Sequence, residues 1–205
     1  MSLSLPSRFI AGALFACWIS AAYGAPKDDF DPFTAGIEEN INTPKVGTKQ
    51  LPKLTAAMAQ LERTLKSAGY AATRVRSGEV VLVTIPCSEL FAPNSTSLKK
   101  TDGSKLSALV PYVKRTDNYK VVIAVHADNT GDASYADAIT ADRATAIDEF
   151  FYHRNSNTDT GIIPYGIGAD EPVKPNTGVR NRAANRRVEI YFIPTSAFIE
   201  KVQKK

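Results

Sequence analysis

Apolar residues recur along this chain with two different periods, and the switches between them mark its elements. Leu54, Met58, Leu61 and Leu65 follow Pro52 at helical spacing, with Gly69 just beyond, which predicts one amphipathic helix with a single apolar stripe. The stripe suits packing on the domain that follows; docking a partner helix is the alternative. At Glu79–Ile85 the chain reads EVVLVTI, a continuous β-branched run of the kind found in strands covered on both faces. Lys105–Lys114 returns to helical spacing through Leu106, Leu109, Val110 and Val113, and Tyr119–Ala127 (YKVVIAVHA) is a second doubly apolar strand. A long helix follows from Ser134 to about Phe151, with Ser134-x-x-Asp137 as a capping-box start. Ile162–Ile167 is a strand interrupted by Pro164, hence an edge. Arg186–Ile193 (RRVEIYFI) alternates as the last strand. The order β-α-β-α-β-β, preceded by one amphipathic helix, predicts an α/β fold: a two-layer α/β sandwich with a mixed sheet.

The flanks read differently. Residues 1–24 hold one charge, Arg8, then an apolar run from Phe9 to Ala22 that ends in Ala22-Tyr23-Gly24-Ala25. The run is shorter than the ~20 residues of a spanning helix, so a cleaved secretory signal is expected, with an N-terminal anchor helix as the alternative. Leu14-Phe15-Ala16-Cys17 partly fits a lipidation box, Phe15 being its weak point. Residues 25–50, with Pro26, Pro32, Pro44, Gly47 and the cluster Asp28, Asp29, Asp31, show no periodicity and read as a flexible linker. The expected organisation is 1–24 signal peptide, 25–50 linker, 51–77 amphipathic helix, 78–195 the α/β domain and 196–205 a basic tail. Export to the periplasm follows, and Cys87, the one cysteine beyond the leader, has no intramolecular disulfide partner.

Composition narrows the function more than it names it. With 205 residues, 43% hydrophobic and a formal charge of +4, the chain is globular, and without a dense Lys/Arg block before its end it offers no nucleic-acid footprint. Two histidines and two cysteines leave little for a protein-only zinc site, and no cofactor is implied. G-x-S-x-G and HExxH signatures are absent from the sequence.

Three places carry candidate chemistry. At ~100° per residue, Tyr135, Ile139, Ala146, Ile147 and Phe150 span about 120° of the long helix, and Arg143 falls inside that stripe. A guanidinium turned to a core face needs an anion, either an internal carboxylate or a ligand. The strand end His126-Ala127-Asp128-Asn129-Thr130-Gly131-Asp132 lies where ligands of α/β sheets gather. Asp128 and Asn129 there serve either as turn caps or as a carboxylate and an amide for a bound amine, while His126 shares a face with Val122 and Ala124 and reads as a hydrogen-bonded core residue. In Asn185-Arg186-Arg187-Val188-Glu189-Ile190, alternation turns Arg186 to the Val188/Ile190 face and Arg187 to that of Glu189 and Tyr191. Arg143 and Arg186, both turned toward an apolar layer, together suggest a carboxylate-binding corner.

These blocks resemble the OmpA-like peptidoglycan-binding domain, shared by flagellar stator proteins and lipoproteins of the Pal type. The resemblance runs from about Val80 to Phe192 through His126-Ala127-Asp128-Asn129-Thr130-Gly131, Ile139-Thr140-Ala141-Asp142-Arg143-Ala144, Gly166-Ile167-Gly168, Glu171-Pro172-Val173, Asn176-Thr177 and Arg182-Ala183-Ala184-Asn185-Arg186-Arg187-Val188-Glu189. It implies that Asp128 takes the ammonium and Arg143 the carboxylate of diaminopimelate in a peptidoglycan stem peptide, with Asn94, Asn185 and Arg186 as further ligand-lining positions. Ala127, Ala136 and Asn181 depart from the family's usual Thr, Asn and Gly. The implied function is non-covalent wall binding that tethers peptidoglycan to the outer membrane or an envelope complex, with an outer-membrane or envelope protein engaged through residues 25–68 as a further partner. The alternatives are a scaffold with a degenerate site, binding its partner through that N-terminal segment, and an envelope hydrolase using His126 with Asp128 or Asp132.

Overall fold

A computed structural model describes residues 35–100, 103–155 and 161–204; the leader expected over 1–24 and the Asp28–Asp31 cluster lie outside them. Among the described residues, five strands form one sheet: β1 (Ala71–Val75), β2 (Val80–Pro86), β3 (Tyr119–His126), β4 (Ile162–Gly168) and β5 (Arg187–Pro194). The helices are α1 (Ile37–Asn40), α2 (Leu51–Ser67), α3 (Cys87–Leu90), α4 (Gly103–Val113), α5 (Ala133–Arg154), α6 (Gly178–Asn185) and α7 (Ser196–Gln203). The strand order is β1-β2-β5-β3-β4, antiparallel except for β3 beside β4, whose crossover is α5. This is the expected mixed α/β sandwich.

Alternation along the strands sends Val81, Val83 and Ile85, Val121, Ile123 and Val125, and Val188, Ile190 and Phe192 into one core with the buried faces of α2, α4, α5 and α7. The apolar stripe of α2 (Leu54, Met58, Leu61, Leu65) is buried there, so it serves its own domain and is not open to a partner helix. On the reverse face Val80, Val122, Ile163 and Ile193 pack with Ile41, and Ile37 beside it. That second layer explains the continuous apolar runs of β2 and β3: both faces of these strands are covered. The stretch read as a linker thus contributes residues 35–43 to the reverse face. Asn40 is fully buried and donates from Nδ2 to the Tyr165 hydroxyl at 2.5 Å, which in turn donates to the Ala35 carbonyl at 2.7 Å.

Three elements differ from expectation. The stretch 71–75, which the pattern groups with the preceding helix, forms β1: AATRV buries Ala72 alone, because it is an edge strand and edges lack the two-sided apolar signal. α6 occupies a stretch read as loop, since its exposed residues carry no stripe. The tail residues 196–203 form α7, whose Phe198 and Ile199 enter the main core, with Thr195 Oγ1 accepting from Phe198 N at 3.1 Å as its N-cap. For α5 the cap is Asp132, accepting from Ser134 N at 2.8 Å, two residues ahead of the capping-box serine.

The α5 backbone rides directly on β4. A Cβ on Gly166 would lie 2.3 Å from the Ala141 nitrogen, a backbone atom that cannot swing away. Gly166→Ala is therefore expected to lower stability by about 3 kcal/mol and the melting temperature by roughly 10 °C, measured by thermal denaturation followed by circular dichroism.

Candidate ligand-binding site

One end of the sheet gathers the chemistry. β2 and β3 run the same way and end together, while β5 begins between them, so Cys87, Asp128 and Arg186 converge although they are far apart in sequence. Beside them α5 presents Tyr135, Ile139 and Arg143, one residue per turn, and the loop after α3 closes the other side with Phe91, Ala92, Pro93 and Asn94. Together these segments wall a cavity of about 440 Å³.

Of the five residues expected at a site, Asp128, Arg143, Asn94 and Arg186 line this cavity and Asn185 does not. Asn185 is fully buried at the end of α6 and holds the 174–176 loop. Its Oδ1 accepts from Lys174 N at 2.9 Å, and its Nδ2 donates to Lys174 O at 2.8 Å and Asn176 Oδ1 at 2.7 Å. A buried amide with its bonds satisfied inside the chain is a strut, so the resemblance places Asn185 near the site while its geometry places it behind the wall.

Arg143 is 7% exposed. Its Nε donates to Ser95 O at 2.9 Å and Nη2 to Ala92 O at 3.5 Å, while the guanidinium carbon sits 5.0 Å from the Phe91 ring centre. Among the described residues no carboxylate forms an ion pair with it, so of the two anions its position called for, an internal partner is not the one supplied. The carbonyls fix the guanidinium without neutralising it.

Asp128, 5% exposed, is held on both oxygens. Oδ1 accepts from Thr130 N at 2.8 Å in the Asx turn that the sequence allowed, and Oδ2 pairs with Arg186 Nη1. Burial acts to raise its pKa, but the hydrogen bonds from Thr130 and the Arg186 guanidinium outweigh it and hold the carboxyl below its ordinary value. Asn94 has φ 55°, a left-handed conformation that asparagine tolerates better than most residues, and this turns the loop against the cavity. Cys87 is a buried thiol pushed up to about 11, chiefly by burial and against the pull of Arg143, Arg186 and Arg187, so it is an inert wall residue. The sequence reading did not assign Ser88, Thr130 and Tyr135 to a site, although all three line the cavity. Tyr135 was legible, eight residues before Arg143 on the same helix row.

His126 faces away from this cavity, into a second polar group on the reverse face of the sheet. Its Nε2 lies 3.3 Å from Glu189 Oε2, without the alignment of a hydrogen bond, and Nδ1 has no partner. Glu189 accepts from Arg187 Nε at 2.7 Å and the Tyr191 hydroxyl at 2.6 Å, and Arg187 also donates to Glu171 O. Asp132 caps α5, so the histidine and carboxylates weighed for hydrolysis do not meet in one site.

Burial acts to raise the Glu189 pKa, yet His126, Tyr191 and Arg187 together bring it from 4.5 to about 2. A depressed folded-state value stabilises the fold above the unfolded pKa, and that contribution is lost as pH falls from 4.5 through about 2. Its size is on the order of 3 kcal/mol. Urea midpoints measured at a series of acidic pH values are expected to fall over this window, and Glu189→Gln to flatten the fall.

Residues 90–186 match the OmpA family, and that segment holds every cavity-lining residue except Cys87 and Ser88. The chain is 24% identical over 136 residues to the "Probable lipoprotein YiaD" of Escherichia coli, covering 66% of this chain and 61% of that protein. It is 30% identical over 100 residues to the peptidoglycan-binding protein ArfA of Mycobacterium bovis, covering 49% of this chain and 30% of that one. The matches thus span less than two thirds of either relative. A MotB-like protein from Desulfovibrio vulgaris superposes with a TM-score of 0.61 at 22% identity, over 71% of this chain and 95% of that one; at this identity the likeness speaks for the fold.

Proposed function

Residues 90–186 form a domain of the OmpA family, and from that premise we propose that the chain binds peptidoglycan in the periplasm without cleaving it. The ligand group is the free end of diaminopimelate in the stem peptide, where an ammonium and a carboxylate share one carbon. Asp128 receives the ammonium and Arg143 the carboxylate, with Arg186 and Asn94 beside them. The observation that carries this reading is Arg143: a guanidinium 7% exposed, fixed by backbone carbonyls on the wall of the cavity, with no carboxylate paired to it among the described residues. A ligand carboxylate is the missing partner, and Arg meets carboxylates bidentately. ArfA, a peptidoglycan-binding relative, supports the choice of polymer.

Recognition of this kind is ion pairing and hydrogen bonding; no bond is made or broken. One site of this size gives modest affinity, on the order of micromolar, and many copies facing one polymer gain avidity. The biological result is a tether between the wall and the outer membrane or an envelope complex. An envelope-protein partner of residues 25–68 meets the polar side of α2, because the apolar side is already buried.

The test is co-sedimentation with purified diaminopimelate-type sacculi. The wild-type chain is expected in the pellet and the Asp128→Ala/Arg143→Ala double variant in the supernatant. Pelleting of both overturns the site assignment, and pelleting of neither overturns wall binding.

A further inference from the structure

The carboxylate proposed to receive the ammonium is already occupied by a cation of the chain itself. Oδ1 of Asp128 is taken by Thr130 N at 2.8 Å and Oδ2 by the Arg186 guanidinium. The two partners differ in exposure. Asp128 has a side chain 5% exposed, that of Arg186 is 43% exposed, and the Arg186 backbone is anchored independently: its carbonyl accepts from Cys87 N at 3.0 Å and its amide donates to Arg182 O at 3.1 Å. The carboxylate is therefore fixed, and the guanidinium can swing aside without disturbing the strand it precedes.

Resting on the wall-binding reading above, we propose that Arg186 is a second specificity-determining residue beside Arg143: it favours an ammonium that arrives with a carboxylate over one that arrives alone. Asp128, Arg143 and Arg186 together carry one net positive charge. A bare alkylammonium adds another, must share Asp128 with Arg186, and offers that guanidinium nothing in return. A head group bearing both ions on one carbon adds no net charge. Its ammonium takes Oδ2 of Asp128, and its carboxylate receives the displaced Arg186 together with Arg143. Arg186 thus acts as a stand-in ammonium in the free protein and as a second carboxylate clamp in the complex. Lys99, whose Nζ donates to Ser88 O at 2.5 Å on the same wall, adds to the positive field against a lone cation.

The test uses two tripeptides that differ only in the third residue, diaminopimelate or lysine, the latter lacking the side-chain carboxylate. Calorimetric titration of the full chain is expected to give a Kd for the lysine peptide at least about ten-fold weaker than for the diaminopimelate peptide. In Arg186→Gln the gap narrows by at least about three-fold, because the lysine peptide gains affinity while the diaminopimelate peptide loses it; the discrimination that remains comes from Arg143. Arg186→Lys, which keeps the charge without the fork, retains most of the discrimination. An unchanged ratio in Arg186→Gln overturns the selector role and leaves wall binding standing. Failure of the wild-type chain to bind the diaminopimelate peptide overturns wall binding itself, and the selector role with it.

Discussion

Arg143→Met is expected to abolish diaminopimelate binding, by at least about a hundred-fold in Kd, while changing folding stability little. The two effects separate because of what holds Arg143. Its neighbours are backbone carbonyls of Ser95 and Ala92 and the Phe91 ring, with no carboxylate ion pair among the described residues. Removing the charge therefore strands no buried counter-ion, which is the usual source of a large loss when half of a buried pair is deleted. It also relieves the desolvation of a guanidinium 7% exposed, and methionine fills a similar volume along Phe91. Against this stand two orphaned carbonyls, so the net change in stability stays within about 1 kcal/mol. Paired measurements of Kd by calorimetry and of urea midpoint check both halves. A residue kept only for packing reverses the pattern, with stability lost and binding retained.

Asp128→Asn is the second large effect, a loss of roughly thirty-fold. Asparagine forms the same Asx turn, so the Thr130 contact and the loop are kept and only the charge goes. The Arg186 pair weakens with it, so the loss reports the ammonium pairing net of the contact that the ammonium displaces. With the Asp128 carboxyl held below its ordinary value of 3.8, wild-type binding is expected to persist as pH falls to about 4 and to weaken only beneath that. Titrations at several pH values check this, and a transition near neutrality contradicts it, since the Asp128 carboxyl is held below its ordinary value.

What could be read from the chain beforehand follows from which residues have a two-sided environment. β2 and β3 were clear as continuous apolar runs because helices cover one face and Ile37 and Ile41 the other. The edge strand β1 and the exposed helix α6 have no such contrast, and periodicity passes over them. In the site, Arg143 stood out because a charge on the buried stripe of a helix is an exception that physics must explain. Asp128 was ambiguous between turn cap and ligand group, and the structure uses it as both a turn cap and a salt-bridge partner at the cavity. Asn185 shows the opposite error: adjacency in sequence to Arg186 said nothing about direction, and its amide turns back to Lys174 and Asn176. The Asp128–Arg186 pairing could not be read at all, because it joins residues 58 positions apart across two strand ends.

The central claim is that Asp128 and Arg143 receive the ammonium and carboxylate of one zwitterionic head group. The most direct measurement follows two N–H signals by NMR during titration with the diaminopimelate tripeptide: the Thr130 amide bonded to Asp128, and Nε–H of Arg143 bonded to Ser95. Both are predicted to shift together and saturate at the same peptide concentration. Saturable shifts elsewhere with these two unmoved, or no shifts at all, contradict the account.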